Sequence, residues 1–334
     1  MKNKKRFSGG IIITTIIVGV FFLFACSSNQ TQQCDNLIVK NGIFYSQEND
    51  APYTGKCIKK ADGFKKELNI KNGKLDGEFI SWNPKGKIIV KEIYKNGLKN
   101  GYSITYYDNG NKYSETYYKN NKKEGVERKW YITKQLKEIT HYKNGKKEGL
   151  HKEYHTNGKI KAEETFKADL PHGKWTTWYD NGNKKEEGIY NMGKKEGEWI
   201  VWYENGKPME KTHYKDNKKH GKWEIWYENG NKKLEANYQD DKLNGKWIVW
   251  YENGNKKEEA SYVDGKIEGD YKTFYENGLI KSIFSYHNGL LNGKAIKYDT
   301  TGRPKETLVF SNNKIIKKII EDTVQRNQQE VPTF

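Results

Sequence analysis

The chain has 334 residues, 60 of them Lys or Arg and 43 Asp or Glu, and a net charge of +17. Leu, Ile, Val and Phe make up just under a fifth of it, too few for a Rossmann enzyme, a TIM barrel or a helical bundle. Aromatic residues reach 14% and Pro occurs six times, which argues against disorder and predicts a thin, aromatic-rich β protein.

The N-terminus carries a basic segment, an apolar stretch and a cysteine in that order. Residues 2–6 contain four positive charges, residues 9–25 are apolar, and the stretch ends Leu-Phe-Ala-Cys at 23–26. This order is typical of an export signal, and the apolar stretch is too short for a membrane span. The last four residues resemble the lipobox of bacterial lipoproteins, which implies cleavage after Ala25 and lipid attachment at Cys26. An uncleaved signal anchor is the alternative.

Two cysteines remain beyond the signal, Cys34 and Cys57. In an oxidising envelope compartment they are candidates for a disulfide that would stabilise the first element by about 3 kcal/mol. Two free thiols are the alternative. The cysteines form no CxxC pair, and the sequence predicts no metal site.

The rest of the chain is one repeated unit of 24 residues, without insertion or deletion. An invariant Gly marks the start of each unit, at 77, 101, 125, 149, 173, 197, 221, 245, 269 and 293. An aromatic residue recurs at 94, 118, 142, 166, 190, 214, 238, 262, 286 and 310. A second aromatic column stands at 82, 106, 130, 154, 178, 202, 226, 250, 274 and 298. Ten registered copies make chance periodicity implausible.

Each unit has the pattern of a β-hairpin. In one copy, residues 175–180 and 184–190 are the strands, and Asn181-Gly182 between them predicts a type I′ turn. A second turn follows, where the position of Gly193 holds only Gly, Asn or Asp in the other copies, so this turn also requires a positive φ. The invariant Gly column predicts a position where only glycine fits, either a tight turn or a place where a neighbouring ring packs on the backbone.

Stacked hairpins form a sheet in which neighbouring units support one another. Ten units at roughly 9.6 Å each would span roughly 95 Å before twisting. We therefore expect an all-β fold, an elongated single-layer antiparallel sheet. The pattern G-x-W-x-x-W-Y-x-N-G…Y-x-x-G-K-x-x-G resembles the MORN-variant repeat of bacteria over residues 63–313. Lys134 departs from it in one turn, and the frame around residues 53–55 is out of step.

The resemblance implies elongated hairpin sheets that act as interaction scaffolds, some proposed to touch lipid. Many chains of this type are lipoproteins described as antitoxin components of toxin–antitoxin systems. A catalytic site needs a constellation of side chains that is not repeated, and the sequence contains none, so we expect no catalytic residues and no cofactor. The expected partner is a protein, and the resemblance implies a toxin as one example. Export excludes nucleic acid as a partner.

The expected organisation follows from these features. Residues 1–25 are the signal peptide and 26–34 a lipidated linker; residues 35–62 form a degenerate N-terminal capping hairpin, 63–313 the repeats, and 314–334 a cap and tail. In that cap, Ile315, Ile316, Ile319, Ile320 and Val324 have helical spacing, which predicts a short capping helix, with a final strand as the alternative.

Two features point toward binding. Residues 27–170 carry 28 basic and 18 acidic side chains, whereas residues 171–334 carry 28 and 25, so the membrane-proximal half is the basic one. A single-layer sheet leaves aromatic residues on both faces, and the row Trp178, Trp202, Trp226 and Trp250 is the candidate binding strip. We expect a membrane-anchored scaffold at the bacterial envelope, on the outer membrane or the cell surface. Binding of cell-wall glycan or anionic lipid is the alternative function.

Overall fold

A computed structural model describes residues 31–319. These residues form 28 strands and one short 3₁₀ turn, Cys34–Asn36, so the described part of the chain is all-β. Twenty-six strands belong to one sheet, and two form a separate hairpin. The predicted all-β fold of stacked hairpins is confirmed. The signal peptide and Cys26 lie outside the described residues.

The strands follow one another with short connections. They are β1 (Thr31–Gln33), β2 (Leu37–Lys40), β3 (Ile43–Ser46), β4 (Gly55–Ala61), β5 (Phe64–Lys71), β6 (Lys74–Trp82), β7 (Ile88–Lys95), β8 (Leu98–Tyr106), β9 (Lys112–Lys119), β10 (Lys122–Lys123), β11 (Gly125–Trp130), β12 (Leu136–Lys143), β13 (Lys146–Tyr154), β14 (Ile160–Lys167), β15 (Leu170–Trp178), β16 (Lys184–Asn191), β17 (Lys194–Trp202), β18 (Pro208–Lys215), β19 (Lys218–Trp226), β20 (Lys232–Gln239), β21 (Lys242–Trp250), β22 (Lys256–Val263), β23 (Lys266–Ile267), β24 (Gly269–Phe274), β25 (Ile280–His287), β26 (Leu290–Tyr298), β27 (Pro304–Ser311) and β28 (Lys314–Ile319). From β4 onward, neighbours along the chain pair antiparallel, with β10 and β11 both on β9, and β23 and β24 both on β22. Only β1 pairs in parallel, with β4.

The Asn-Gly hairpin turn is not the predicted type I′ turn. Gly182 N–H donates to Tyr179 O, and of the two central residues only Gly182 has a positive φ, of 96°. The turn is therefore type I followed by a left-handed Gly. A separate register shift follows between Thr177 and Trp178, where Lys185 on the return strand has no pairing partner. We call this side of the sheet the bulged-turn edge. At Lys134 the turn survives with a strained φ of 74°.

The second turn is the type I′ turn. Met192 and Gly193 both have positive φ, and Asn191 pairs directly with Lys194 across the strands. The predicted positive φ in the Gly193 column is confirmed, because its Asn and Asp substitutes also have φ between 63° and 71°. We call this opposite side of the sheet the tight-turn edge.

The invariant Gly column lies within strands and forms neither a turn nor a ring contact. Gly197 has a φ of 68° and opposes Tyr214, and a Cβ added to it would meet nothing within 4 Å. The register on the other side of this strand shifts between Glu187 and Ile189. Positive φ at a mid-strand bulge is thus the reason for glycine here.

The N-terminal end of the sheet is covered by a small cap. Cys34 and Cys57 are joined by a disulfide and cluster with Leu37 and Ile70. The hairpin β2–β3 reaches the main sheet through its backbone, because Phe44 N–H donates to Gly73 O. Beside this cap, β1 pairs with residues 56–58 of β4 and so covers part of the edge strand that would otherwise be open.

The C-terminal end is a strand. Residues Lys314–Ile319 form β28 and pair with β27, so the expected capping helix is wrong over these residues. The chain continues the alternation of the repeats here, and strand pairing with β27 outweighs the helical spacing of isoleucines. Residues 320–334 lie outside the described residues.

Candidate interaction surface

The tryptophan row, Trp178, Trp202, Trp226 and Trp250, lies where alternate strands reach the bulged-turn edge. All four side chains are half-buried. Lys184 Nζ lies 5.5 Å from the centroid of the Trp202 ring, and Lys232 lies 5.8 Å from that of Trp250. The row is therefore an array of partly exposed rings flanked by cations, compatible with contact to a partner and with support of the sheet.

The backbone of the same row joins one repeat to the next. Tyr179 Oη donates to Trp202 O at 2.8 Å, and Tyr227 Oη donates to Trp250 O at 2.8 Å. His155 stands in the tyrosine position of its repeat, and its Nε2 lies 3.0 Å from Trp178 O. These bonds fix the positions of the row.

A second tryptophan row, formed by the first Trp of the repeat pattern and given no role from the sequence, lies on the opposite face. Trp199 is three residues before Trp202, so the two side chains point to opposite faces of one strand. Trp199 is 3% exposed and packs edge-to-face on Tyr190, with ring centroids 4.9 Å apart. Its counterparts Trp175, Trp223 and Trp247 make similar contacts with neighbouring tyrosines. This face holds the aromatic packing of the sheet. Only four of the ten units carry Trp at this position, so the sequence did not indicate a continuous row here.

An exposed aromatic strip occurs in the basic half instead. Ile93, Tyr102 and Tyr117, here called the aromatic strip, are 40%, 53% and 38% exposed. Tyr102 and Tyr117 are directly opposed across β8 and β9, with ring centroids 5.3 Å apart. Rigid aromatic side chains with this exposure are typical of contact surfaces.

Unpaired lysines line the tight-turn edge beside this strip. Eight of these lysines are exposed and are here called the lysine edge: Lys71, Lys74, Lys95, Lys119, Lys122, Lys143, Lys146 and Lys167. Lys119 lies directly opposite Lys122, and Lys143 opposite Lys146, although like charges opposed in this way destabilise a sheet. None of the eight makes an ion pair with another residue of the described range.

Carboxylates at this edge accept hydrogen bonds from backbone N–H groups. Glu124 accepts a hydrogen bond from Asn144 N–H at 2.8 Å, and Glu148 accepts one from Ala168 N–H at 2.9 Å. His172 occupies the equivalent position and accepts from Met192 N–H. The capping role of this position explains its polar residues, and within the described residues neither Glu124 nor Glu148 forms an ion pair with the lysine edge.

Two buried carboxylates on the face that holds Trp199 have pKa values shifted in opposite directions. Burial would raise the pKa of Glu127, but hydrogen bonds from Lys123 and Thr116 outweigh it and hold the pKa below its ordinary value. Burial raises the pKa of Glu164 to about 7, because Glu164 has no such bond and Glu153 adds a like charge.

Residues 31–319 contain no group of three or more His, Cys, Asp or Glu side chains placed to hold a metal ion. Within the same range, no helix has the length and apolarity needed to cross a bilayer.

The chain belongs to the MORN repeat variant family. The family's profile matches nine consecutive segments: residues 75–96, 99–120, 123–144, 147–168, 171–192, 195–216, 219–240, 243–264 and 267–288. Repeats of this family form scaffolds for protein or lipid interaction. No curated protein matches the chain.

Solved structures offer only a distant likeness. The crystal structure of TcdB2–TccC3 is 9% identical, with a TM-score of 0.18, and the match covers 80% of this chain and 17% of that one. The structure of TcdB2–TccC3–Cdc42 is 10% identical, with a TM-score of 0.16, and 80% and 16% are covered. This chain thus spans about a sixth of the length of those chains, and likeness at these scores carries no argument.

Proposed function

We propose that the protein is a non-catalytic scaffold, anchored to a bacterial envelope membrane through lipid on Cys26, that holds a protein partner near the membrane surface. The observation that carries the proposal is the position of the lysine edge. Thr31 pairs with Lys56 at the start of β4, next to the tight turn at Asn72 and Gly73, so the chain leading back to Cys26 leaves from the tight-turn edge.

The anchor and the lysine edge fit one membrane surface. Thr31 comes five positions after Cys26, and five steps of extended chain span at most about 17 Å. Lipid on Cys26 would therefore hold the tight-turn edge of the first repeats close to the headgroups. Each lysine near an anionic surface contributes about 1 kcal/mol of attraction. The opposed lysine pairs, which cost stability within the sheet, gain a favourable counter-charge there.

A protein partner would meet a face of the standing sheet. The aromatic strip and the tryptophan row lie on the same face, with the strip toward the membrane and the row away from it. The strip supplies the exposed rings and the row supplies a longer series of weaker contacts. A toxin is the partner that the family resemblance implies, and neutralisation would then be its capture on this face.

Vesicle flotation tests the membrane part of the proposal. In a Cys26→Ser background, which removes the acyl chains, we expect salt-sensitive binding to vesicles containing phosphatidylglycerol and none to pure phosphatidylcholine. Lys119→Glu, Lys122→Glu, Lys143→Glu and Lys146→Glu together should abolish it. The matched control replaces Lys215, Lys218, Lys242 and Lys266 by Glu, on the less basic half of the same edge. Equal loss in both variants would show that net charge, not the lysine edge, is responsible.

Photo-crosslinking in cells tests the partner surface. A photoreactive amino acid at Tyr102 or Trp226 should give a discrete adduct, whereas the same probe at Trp199, on the packed face, should give none. With the probe kept at position 102, Tyr117→Ser should weaken that adduct without lowering the melting temperature, because Tyr117 is exposed. Adducts of equal yield at Trp199 would contradict the assignment of faces.

A further inference from the structure

A second set of unpaired cations lies along the bulged-turn edge of the C-terminal half. Lys233 Nζ lies 5.4 Å from the centroid of the Tyr227 ring, and Lys257 and Lys281 lie 5.8 and 5.7 Å from the rings of Tyr251 and Tyr275. Lys305 continues the series in the next unit. We call Lys233, Lys257, Lys281 and Lys305 the Lys–Tyr row.

Neighbouring lysines show that this lack of partners is specific. Lys232 forms an ion pair with Glu235 at 2.6 Å, and Lys256 with Glu259 at 3.0 Å. Lys233 and Lys257 come directly after them in sequence, are exposed, and have no carboxylate partner within the described residues. Within each Lys-Lys pair, the first cation is neutralised and the second is left free.

The rings under the row are held rigidly. Tyr251 Oη donates to Phe274 O at 2.9 Å, and Tyr275 Oη donates to Tyr298 O at 2.9 Å. Because each hydroxyl is bound to the next repeat, each ring keeps its orientation, and an ammonium group lies within about 6 Å of each ring centroid. Successive cations therefore stand one repeat apart, roughly 9.6 Å in an untwisted sheet.

The row borders a groove of about 610 Å³ over the last three units. Tyr251, Tyr275 and Phe284 contribute rings to it, and three cations of the row line it. Thr273 Oγ1 and Ser282 Oγ, 2.6 Å apart, form a hydroxyl pair in its lining. The volume is in the range of ligand sites. The lining combines rings, hydroxyl groups and positive charge with two carboxylates, each of which has a partner: Glu306 pairs with Lys297 at 3.1 Å, and Glu258 accepts from Tyr271 Oη at 3.0 Å.

We propose that the Lys–Tyr row binds a linear anionic polysaccharide, with sugar carboxylates at the free ammonium groups and sugar rings along the groove. A chain with one negative charge per disaccharide matches cations spaced by one repeat. Such contacts are individually weak and add through effective concentration along one ligand. The inference rests on the proposed envelope location, where such polymers occur, but its test does not involve membrane binding.

Titration of the detergent-solubilised full chain with hyaluronan oligosaccharides tests this. Hyaluronan carries one carboxylate per disaccharide. We expect affinity to rise at least about tenfold from the tetrasaccharide to the octasaccharide. The Lys257→Gln, Lys281→Gln variant should lose about tenfold for the octasaccharide, whereas the matched Lys232→Gln, Lys256→Gln variant should change less than about twofold.

Several results would contradict the saccharide site. Equal losses in both variants, or affinity independent of ligand length, would overturn the site. Equally tight binding of polyphosphate would overturn the assignment to saccharide. The melting temperature of the Lys257→Gln, Lys281→Gln variant should match that of the parent, since both lysines are exposed. The Lys232→Gln, Lys256→Gln variant loses ion pairs to Glu224, Glu235 and Glu259, so its binding is measured at a temperature at which it is folded. Vesicle flotation should be unchanged by either variant, so failure here and failure of membrane docking are distinguishable.

Discussion

Tyr203 Oη donates a hydrogen bond to the backbone carbonyl of Trp226 at 2.7 Å, 23 residues further along the chain. The same bond recurs from Tyr107 to Trp130, from Tyr131 to Tyr154 and in four later units. Each one joins the end of one hairpin to the same point of the next. The bond explains why Tyr directly follows the aromatic residue of the 202 column in most units.

Removing one of these hydroxyl groups should weaken the sheet locally. Tyr203→Phe keeps the ring and leaves a part-buried carbonyl without its donor, so we expect a loss of about 1 kcal/mol in the free energy of unfolding. Tyr102→Phe, at an exposed ring, is the control and should have no effect. Denaturant unfolding of both variants measures the difference. Identical midpoints would mean that the inter-repeat bond contributes nothing to stability.

The 24-residue period was sufficient to predict the hairpins and the single-layer sheet, because each unit contains two strand patterns between turn residues. It did not distinguish the two turns. Asn181-Gly182 fits a type I′ turn in sequence, but the loop contains one residue more, and only the strand register shows that Asn181 stays in the right-handed region. The type I′ turn occurs instead at Met192-Gly193, although Met is an unfavourable residue for a positive φ.

The candidate surface was only partly predictable. The tryptophan row was visible as a column, but its burial depends on lysines contributed by other strands. The lysine edge was present only as a net charge difference between halves. Recognising it required the pairing of Lys119 with Lys122 and of Lys143 with Lys146, which depends on the type I′ geometry of the intervening turns.

Gly188 should be intolerant of substitution for a steric reason. A Cβ added to it would lie inside van der Waals contact with the indole of Trp199. We expect Gly188→Ala to cost about 2 kcal/mol through overpacking. In a Trp199→Ala background the same change should cost little, so a double-mutant cycle measured by denaturant unfolding should give a large coupling energy. Additive losses would show that the cost does not arise from Trp199. A negligible loss in the parent would show that Trp199 tilts away, since Ala236 is accepted opposite Trp247.

Met192 should be replaceable with a gain in stability. It has a φ of 47°, in the left-handed region, and its side chain is 44% exposed, so it loses backbone energy without contributing packing. Asn tolerates this conformation and occurs at the same place in other units, for example Asn144 and Asn288. Met192→Asn should therefore raise the free energy of unfolding by about 1 kcal/mol. Ala168→Asn, at the equivalent strained position, should act in the same direction. A lower melting temperature in both variants would refute the strain.

Glu164 should make the protein less stable as the pH rises. Its side chain is 9% exposed, and burial raises its pKa to about 7 from an ordinary 4.5. The folded state therefore holds the proton more tightly than the unfolded state between these values, so the free energy of unfolding falls across that window as pH increases. His151, directly opposite, has a pKa lowered by burial and contributes the opposite slope below its ordinary value of 6.5.

Comparison of two neighbouring variants isolates the contribution of Glu164. Glu164→Gln should raise the melting temperature at pH 8 and flatten its decline between pH 4.5 and 7, while His151 is retained in both proteins. Glu163→Gln is the control, because Glu163 points to the other face and pairs with Lys152 at 2.9 Å. It should leave the pH profile unchanged apart from the small loss of a surface ion pair. A profile of Glu164→Gln that parallels the parent would mean that Glu164 titrates normally and is reached by water despite its burial.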